Sequence, residues 1–278
     1  MIYPTISDTH GGSVGLLNPA VKLYRSTDNE YYSPQLSATQ EWLWDLHMRL
    51  VQRAIDMQDD ITLIELGDVT MGIRFMEELV TDKPSDHVLI AQANLAPWLE
   101  MPRLKKMVLV IGTAVHEFGQ GSTTEILAAL VHATRPDVEV VVTSHMLGYD
   151  EAGDPFIDAA HHGPHPGRYL HTAGNIVRNE TRNAMLQEIL YGMSVGVLRH
   201  PPQVYMRGHW HVKRDERIQV GSEVSRMLLF PSYSGITHHA RKVGRSPAFL
   251  ECGGAVVVDR DHVEWVTETK DLRRYERI

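Results

Sequence analysis

Residues 3–12 read YPTISDTHGG: a short apolar run delivers an aspartate, a histidine two places later, and then paired glycines. On an extended backbone residues i and i+2 face the same side, so Asp8 and His10 point together at the exit of a strand. A carboxylate beside an imidazole suits a metal ion, and glycines let the loop pass close to one. Alone, D-x-H is also an ordinary polar exit from a strand, and its meaning depends on partners further along. Pro4 has no N–H, so the strand either begins at Thr5 or leaves one side unpaired at Pro4.

Apolar, β-branched runs recur outward from this stretch: ITLIEL (61–66), MVLVIG (107–112), VEVVVT (138–143), QVYM (203–206), MLLF (227–230), AVVV (255–258) and VEWV (263–266). Their length and composition predict strands. Helical periodicity lies between them, over 39–57, 122–134 and 179–193, with Ser37 and Gln40 spaced as a capping box. Strands alternating with helices predict an α/β fold with a buried sheet. With 278 residues, 43% of them hydrophobic, one domain over 1–278 can hold the whole core. The less regular segment 70–88 is expected to be an insertion or lid, and the charged residues 267–278 a solvated tail.

Composition narrows the function. No stretch approaches the roughly 18 uninterrupted apolar residues of a membrane span. The start, MIYPTISDTH, has no basic n-region and no h-region, so a soluble, cytoplasmic protein is expected, without membrane partners. A single cysteine, Cys252, excludes an internal disulfide and a Cys-rich zinc site. A net charge of −8 argues against a broad nucleic-acid surface. Sixteen histidines, many of them clustered, favour a metal site built from nitrogen and oxygen.

The partners of Asp8 and His10 stand at other strand ends. ITLIELGD ends in Gly67-Asp68, MVLVIGTAVHE in Gly112-Thr113 with His116 and Glu117, PFIDAAHH in His161-His162, and QVYMRGHWH in Gly208-His209 with His211. In open α/β sheets, sites form at the carboxyl ends of strands, so residues far apart in sequence can converge there.

In this order, the motifs resemble those of the calcineurin-like metallophosphoesterases: D-x-H at 8–10, G-D at 67–68, GTAVHE (112–117) where that family has G-N-H-[DE], a later histidine at 161–162, and G-H-x-H at 208–211. The resemblance spans most of residues 1–211. The GT-x-x-H-E variant and HHGPHPG look like divergent phage and prophage members, which would place the protein in a host cytoplasm. It implies a sandwich of two central mixed β-sheets flanked by helices. It also implies two divalent metals (Mn, Fe or Zn), with Asp8, His10 and His211 on one, His161 and His209 on the other, and Asp68 bridging. Such a pair activates a bridging hydroxide that attacks a phosphomonoester or phosphodiester, nucleotides and nucleic acid among the candidate substrates.

Several residues keep two readings. Thr113 stands where the family has a ligand asparagine, and a hydroxyl is a poorer ligand than an amide oxygen. His116 is either the missing ligand or the donor to the leaving oxygen. Neighbours on a strand point to opposite faces; His161 is taken as the ligand for its place in the family pattern, with His162 as the runner-up. Arg207 either contacts a substrate phosphate or only pairs with acids of the chain, His162 is a candidate substrate contact, and Trp210 is expected in the core. GQGSTTE (119–125) reads as a capped helix start or a phosphate cradle. HARKVGR (239–245) and DLRRYER (271–277) are the only basic stretches suited to a nucleic acid. H-x-H-x-D-H is absent, and no G-x-S-x-G stands at a strand-to-helix elbow, which removes two hydrolase classes. The rival from another class is a phosphoesterase-like fold, catalytically weakened by the lost asparagine, that serves as a binding or assembly module.

Overall fold

The central apolar runs fold as strands buried on both faces. In β4 (Ile61–Glu65) and β5 (Leu104–Val110), Leu63, Met107 and Leu109 belong to one core and Ile64, Val108 and Val110 to another. A strand covered on both sides reads as a continuous apolar run, and that explains their sequences. The computed structural model describes residues 1–74, 76–119, 121–167, 174–236 and 248–273. His171, His238, His239 and the 239–245 stretch lie outside them, as do 274–278.

The larger sheet has six strands. β1 (Tyr3–Ile6), β4, β5 and β6 (Glu139–Thr143) run parallel, and β12 (Phe249–Val257) and β13 (Val263–Asp271) add antiparallel at the β1 edge. The second sheet orders β10 (Arg214–Val220), β11 (Glu223–Leu229), β9 (Val204–Arg207), β8 (Pro155–Ala160) and β7 (His145–Tyr149). Only its β11-β9-β8 centre is parallel. A small ribbon, β2 (Leu23–Arg25) with β3 (Glu30–Tyr32), stands apart.

The two sheets enclose one apolar layer, in which Ile64 and Val108 meet Ile157, Val204, Met206 and Leu228. Helices cover both outer faces. α1 (Ala38–Asp56), α2 (Pro84–Leu99) and α3 (Ser122–Thr134) pack on the six-stranded sheet, where Leu46, Leu50, Trp98 and Leu127 meet Leu63 and Leu109. α4 (Asn175–Val195) lays Val177 and Met185 on Tyr205, Met227 and Leu229 of the second sheet. The architecture is α/β, with two mixed sheets flanked by helices. The Ser37–Gln40 capping box forms as predicted, and among the described residues no helix is long and apolar enough to cross a membrane.

Of the two readings of Pro4 the second holds: β1 starts at Tyr3, Pro4 pairs with Val256 on the β12 side, and the β4 ladder runs through Thr5 and Ile6 only. Two expectations are corrected. Residues 267–271 are no tail but the end of β13, registered on Phe249–Gly253 of β12, so charged side chains there mark an exposed edge strand. Within 70–88, Thr70 and Met71 are buried, Met71 donates to Gly11 O at 3.1 Å and Val80 to Gly12 O at 2.8 Å. That part of the segment braces the loop after β1, and 84–88 are the first turn of α2.

Candidate metal centre

Five loops leave the carboxyl ends of β1, β4 and β5 in one sheet and β8 and β9 in the other, and their side chains meet. Four groups each place one donor atom per residue within 4.8 Å of the others: Asp8, His10 and His211; Asp8, Asp68 and His161; His10, Asp68 and His116; His161, His162 and His209. Every ligand candidate named from the sequence belongs to this cluster.

The carboxylates are locked from behind. Ser7 Oγ donates to Asp8 Oδ2, which also accepts the His209 amide at 2.9 Å. Asp68 Oδ1 accepts the Thr113 amide at 2.6 Å, and Oδ2 lies 3.2 Å from His161 Nε2 and 3.9 Å from His116 Nε2. His211 Nε2 stands 3.2 Å from Asp8 Oδ1 and 3.3 Å from His10 Nε2. Asp8, His10, Asp68, His209 and His211 all hold positive φ, between 44° and 69°. A non-glycine residue there costs on the order of 1–3 kcal/mol, and such strain gathers at functional sites.

Backbone carbonyls orient two of the imidazoles. His161 Nδ1 is 2.6 Å from Leu66 O, and His116 Nδ1 is 2.6 Å from Met71 O. A carbonyl only accepts, so each Nδ1 carries its proton and each Nε2 is turned toward Asp68. A neutral imidazole in that pose aims a lone pair at a carboxylate, an arrangement that requires a cation between them. A proton can serve. Burial alone would lower His161, but its hydrogen bond to Asp68 and the charges of Asp8 and Asp68 raise it to about 9. Burial likewise opposes, and Asp8 outweighs it in raising, His211. Burial would lift Asp8, yet His211, His161 and His10 hold it below the ordinary carboxylate range. Burial pushes His10 down to about 3. These donors fit divalent cations, which supply the same positive charge with more ligands satisfied.

The structure separates the ambiguous histidines. β8 ends at Ala160, so strand alternation no longer governs 161 and 162, and both rings join His209, with centroids 4.8 Å apart for His161–His162 and 4.5 Å for His162–His209. His116 packs instead on His10, with centroids 4.7 Å apart, away from that trio. Thr113 Oγ1 lies 3.2 Å from His161 Nε2, where the resemblance puts an asparagine.

Arg207 is corrected. Its guanidinium faces Asp158, with Nη2 to Oδ1 at 2.5 Å and Nη1 donating to Asp158 O at 2.7 Å, not the donor cluster. Trp210 is half-buried, donates to Gly163 O at 3.0 Å and lies edge-on to His165 and His209, outside the core clusters. The phosphate-cradle reading of 119–125 also gives way. Glu117 is buried and accepts from Thr124 N at 3.1 Å, Thr124 Oγ1 at 2.6 Å and Gly112 N at 3.0 Å. A carboxylate of the chain therefore already serves the α3 N-terminus and ties it to the loop after β5.

Glu65 was missed. It is the last residue of β4, fully buried, accepts Gly67 N at 2.8 Å, and burial raises its pKa well above the ordinary range. An acid inside an otherwise apolar strand was the only available signal.

Gly67 shows why small residues precede the ligands. With φ at +103°, a Cβ there would lie 2.7 Å from His161 Nδ1 and 2.9 Å from Gly112 Cα. We expect Gly67→Ala to weaken metal binding at His161 by about tenfold or more, since an alanine must either strain the backbone or displace the ring. Metal titration of chelator-treated protein measures this, and wild-type affinity in the variant would mean that the ring position is unimportant.

Compared with protein-family models and with curated proteins, the chain matches none.

Proposed function

We propose that this chain is a dinuclear metal-dependent phosphoesterase of calcineurin-like type. The carrying observation is the pair of carbonyl-locked imidazoles aimed, with Asp68 between them, into a buried cluster of donors. In this reading Asp8, His10 and His211 hold one cation, His161, His162 and His209 the other, and Asp68 is shared. When bound, the metals lower the pKa of water and neutralise phosphoryl oxygens.

The chain's own residues do the rest. Ser7, the His209 amide and the Thr113 amide fix both carboxylates, so the donors need little reorganisation when charge develops. His162 takes over the role of the asparagine replaced by Thr113. His116, standing on the His10 side with Nδ1–H held by Met71 O, faces the leaving oxygen with Nε2, which in this role must first take a second proton from solvent and then passes it to that oxygen.

The test is hydrolysis of bis(p-nitrophenyl) phosphate and p-nitrophenyl phosphate by chelator-stripped protein before and after Mn²⁺ addition. Elemental analysis should give two metals per chain, with activity returning on addition; a chain that binds no metal overturns the reading. Two bound metals without hydrolysis would favour the binding-module alternative. For His116→Ala, we expect a loss of about 10²-fold or more on an alkyl ester and a much smaller loss on the p-nitrophenyl ester, whose leaving group needs little protonation. Equal losses on both would make His116 a ligand instead.

A further inference from the structure

A cleft of about 350 Å³ opens beside the donor cluster and shares His161 with it. Ile111 and Ala114 line it after β5, Gly121 at the start of α3, Ser144 and His145 where the chain crosses from β6 to β7, and His162 after β8. Among the described residues of this lining there is no Lys or Arg. Away from His161 and His162 at the donor cluster, a second anionic group would find no Lys or Arg countercharge in this lining, whereas an uncharged ring would meet the apolar surface of Ile111, Ala114 and Ala160.

One wall is built more firmly than its position requires. His145 lines the cleft and its side chain is 57% exposed, yet its Nε2 lies 3.0 Å from Asp158 Oδ2, and Asp158 is held in turn by Arg207 at 2.5 Å. Its backbone is tied as well: the His145 amide donates to Thr143 Oγ1 at 3.2 Å, and that hydroxyl donates to His145 O at 2.7 Å. An imidazole already anchored by its neighbours loses little freedom when a ligand docks against it.

We propose that this cleft is the subsite for the organic group of the phosphate ester, with His145 as its polar wall. The substrate class is then an ester of a compact, uncharged, ring-bearing alcohol, and not a polynucleotide backbone. This rests on the phosphoesterase reading and adds a substrate class to it.

Phenylphosphonate and methylphosphonate share a headgroup, carry a C–P bond that ester hydrolysis does not cleave, and differ only in the group the cleft would hold. Calorimetry on Mn²⁺-loaded protein should find phenylphosphonate bound about 30-fold more tightly, the scale expected for burying one phenyl ring. Ala114→Trp fills the cleft and His145→Ala removes its anchored wall. In both variants the preference should fall to within a few-fold while elemental analysis still finds two metals. Equal affinities in the wild-type protein, or a preference that survives both substitutions, overturns the subsite. Failure of the metal-loaded protein to bind either phosphonate overturns the phosphoesterase reading, and the subsite with it.

Discussion

Asp68→Asn should lower metal-restored phosphoester hydrolysis by about 10³-fold or more, the equivalent of several kcal/mol of transition-state stabilisation. Asp68 belongs to two of the four donor groups, one with Asp8 and His161, the other with His10 and His116. Asp8 also belongs to two groups, but it is Asp68 whose Oδ2 lies between the carbonyl-locked imidazoles, 3.2 Å from His161 Nε2 and 3.9 Å from His116 Nε2, as the bridging role proposed for it requires. Asparagine keeps the shape and can still accept the Thr113 amide now 2.6 Å from Oδ1, so the loop after β5 should hold its place. What disappears is the negative charge facing His161 and His116. Elemental analysis should then find fewer than two metals per chain, while the circular dichroism spectrum stays that of the wild-type protein. Hydrolysis within about threefold of wild type, with two metals retained, would remove Asp68 from the bridging role, since a ligand of that kind is worth far more.

The parts of this arrangement that were legible in the sequence share one physical cause. Strands buried on both faces must be apolar, so a polar residue just after one stands out, and glycine beside it marks a close approach. Asp8, Asp68, His161 and His209 are all visible in that way. What the sequence concealed depends on contacts between distant segments or on where a strand stops. Arg207 looked available because Asp158, its partner, is 49 positions away on the neighbouring strand. His162 stood second to His161 because alternation was applied beyond the last residue of β8. β7 and β10, HMLGY and RDERIQV, are edge strands with half-solvated faces, and their polar content hid them. The charged end of β13 was hidden for the same reason. The cap of α3 also came from outside the stretch read for it: the acid that serves its N-terminus is Glu117, upstream of GQGSTTE.

Metal-free protein should be most stable near pH 6.5 and lose about 3 kcal/mol as pH rises to 9, and bound metal should abolish most of that loss. His161 is raised from 6.5 to about 9 in the folded chain. A raised folded value means that the folded state holds the proton more tightly than the unfolded one. Its contribution is thus complete below pH 6.5 and is lost as pH climbs through 9, at roughly 1.4 kcal/mol per pH unit. His211 is raised as well and adds in the same direction. On the acid side the sign reverses: burial lowers His10 and His47 to about 3, so both favour unfolding as pH falls from 6.5, where the unfolded chain takes up protons first. In the proposed reading a metal ion would replace the protons on His161 and His211, so the alkaline loss should become a gain in metal affinity with rising pH. Thermal melts of chelator-treated protein at pH 6.5 and 9 should differ by roughly 6 °C or more for a chain of this size, and Mn²⁺ should raise the pH 9 midpoint by more than the pH 6.5 one. Identical midpoints without metal would mean that Asp8 and Asp68 do not hold a positive charge on His161. The cluster would then lack the electrostatic pull that the proposed binding of cations needs.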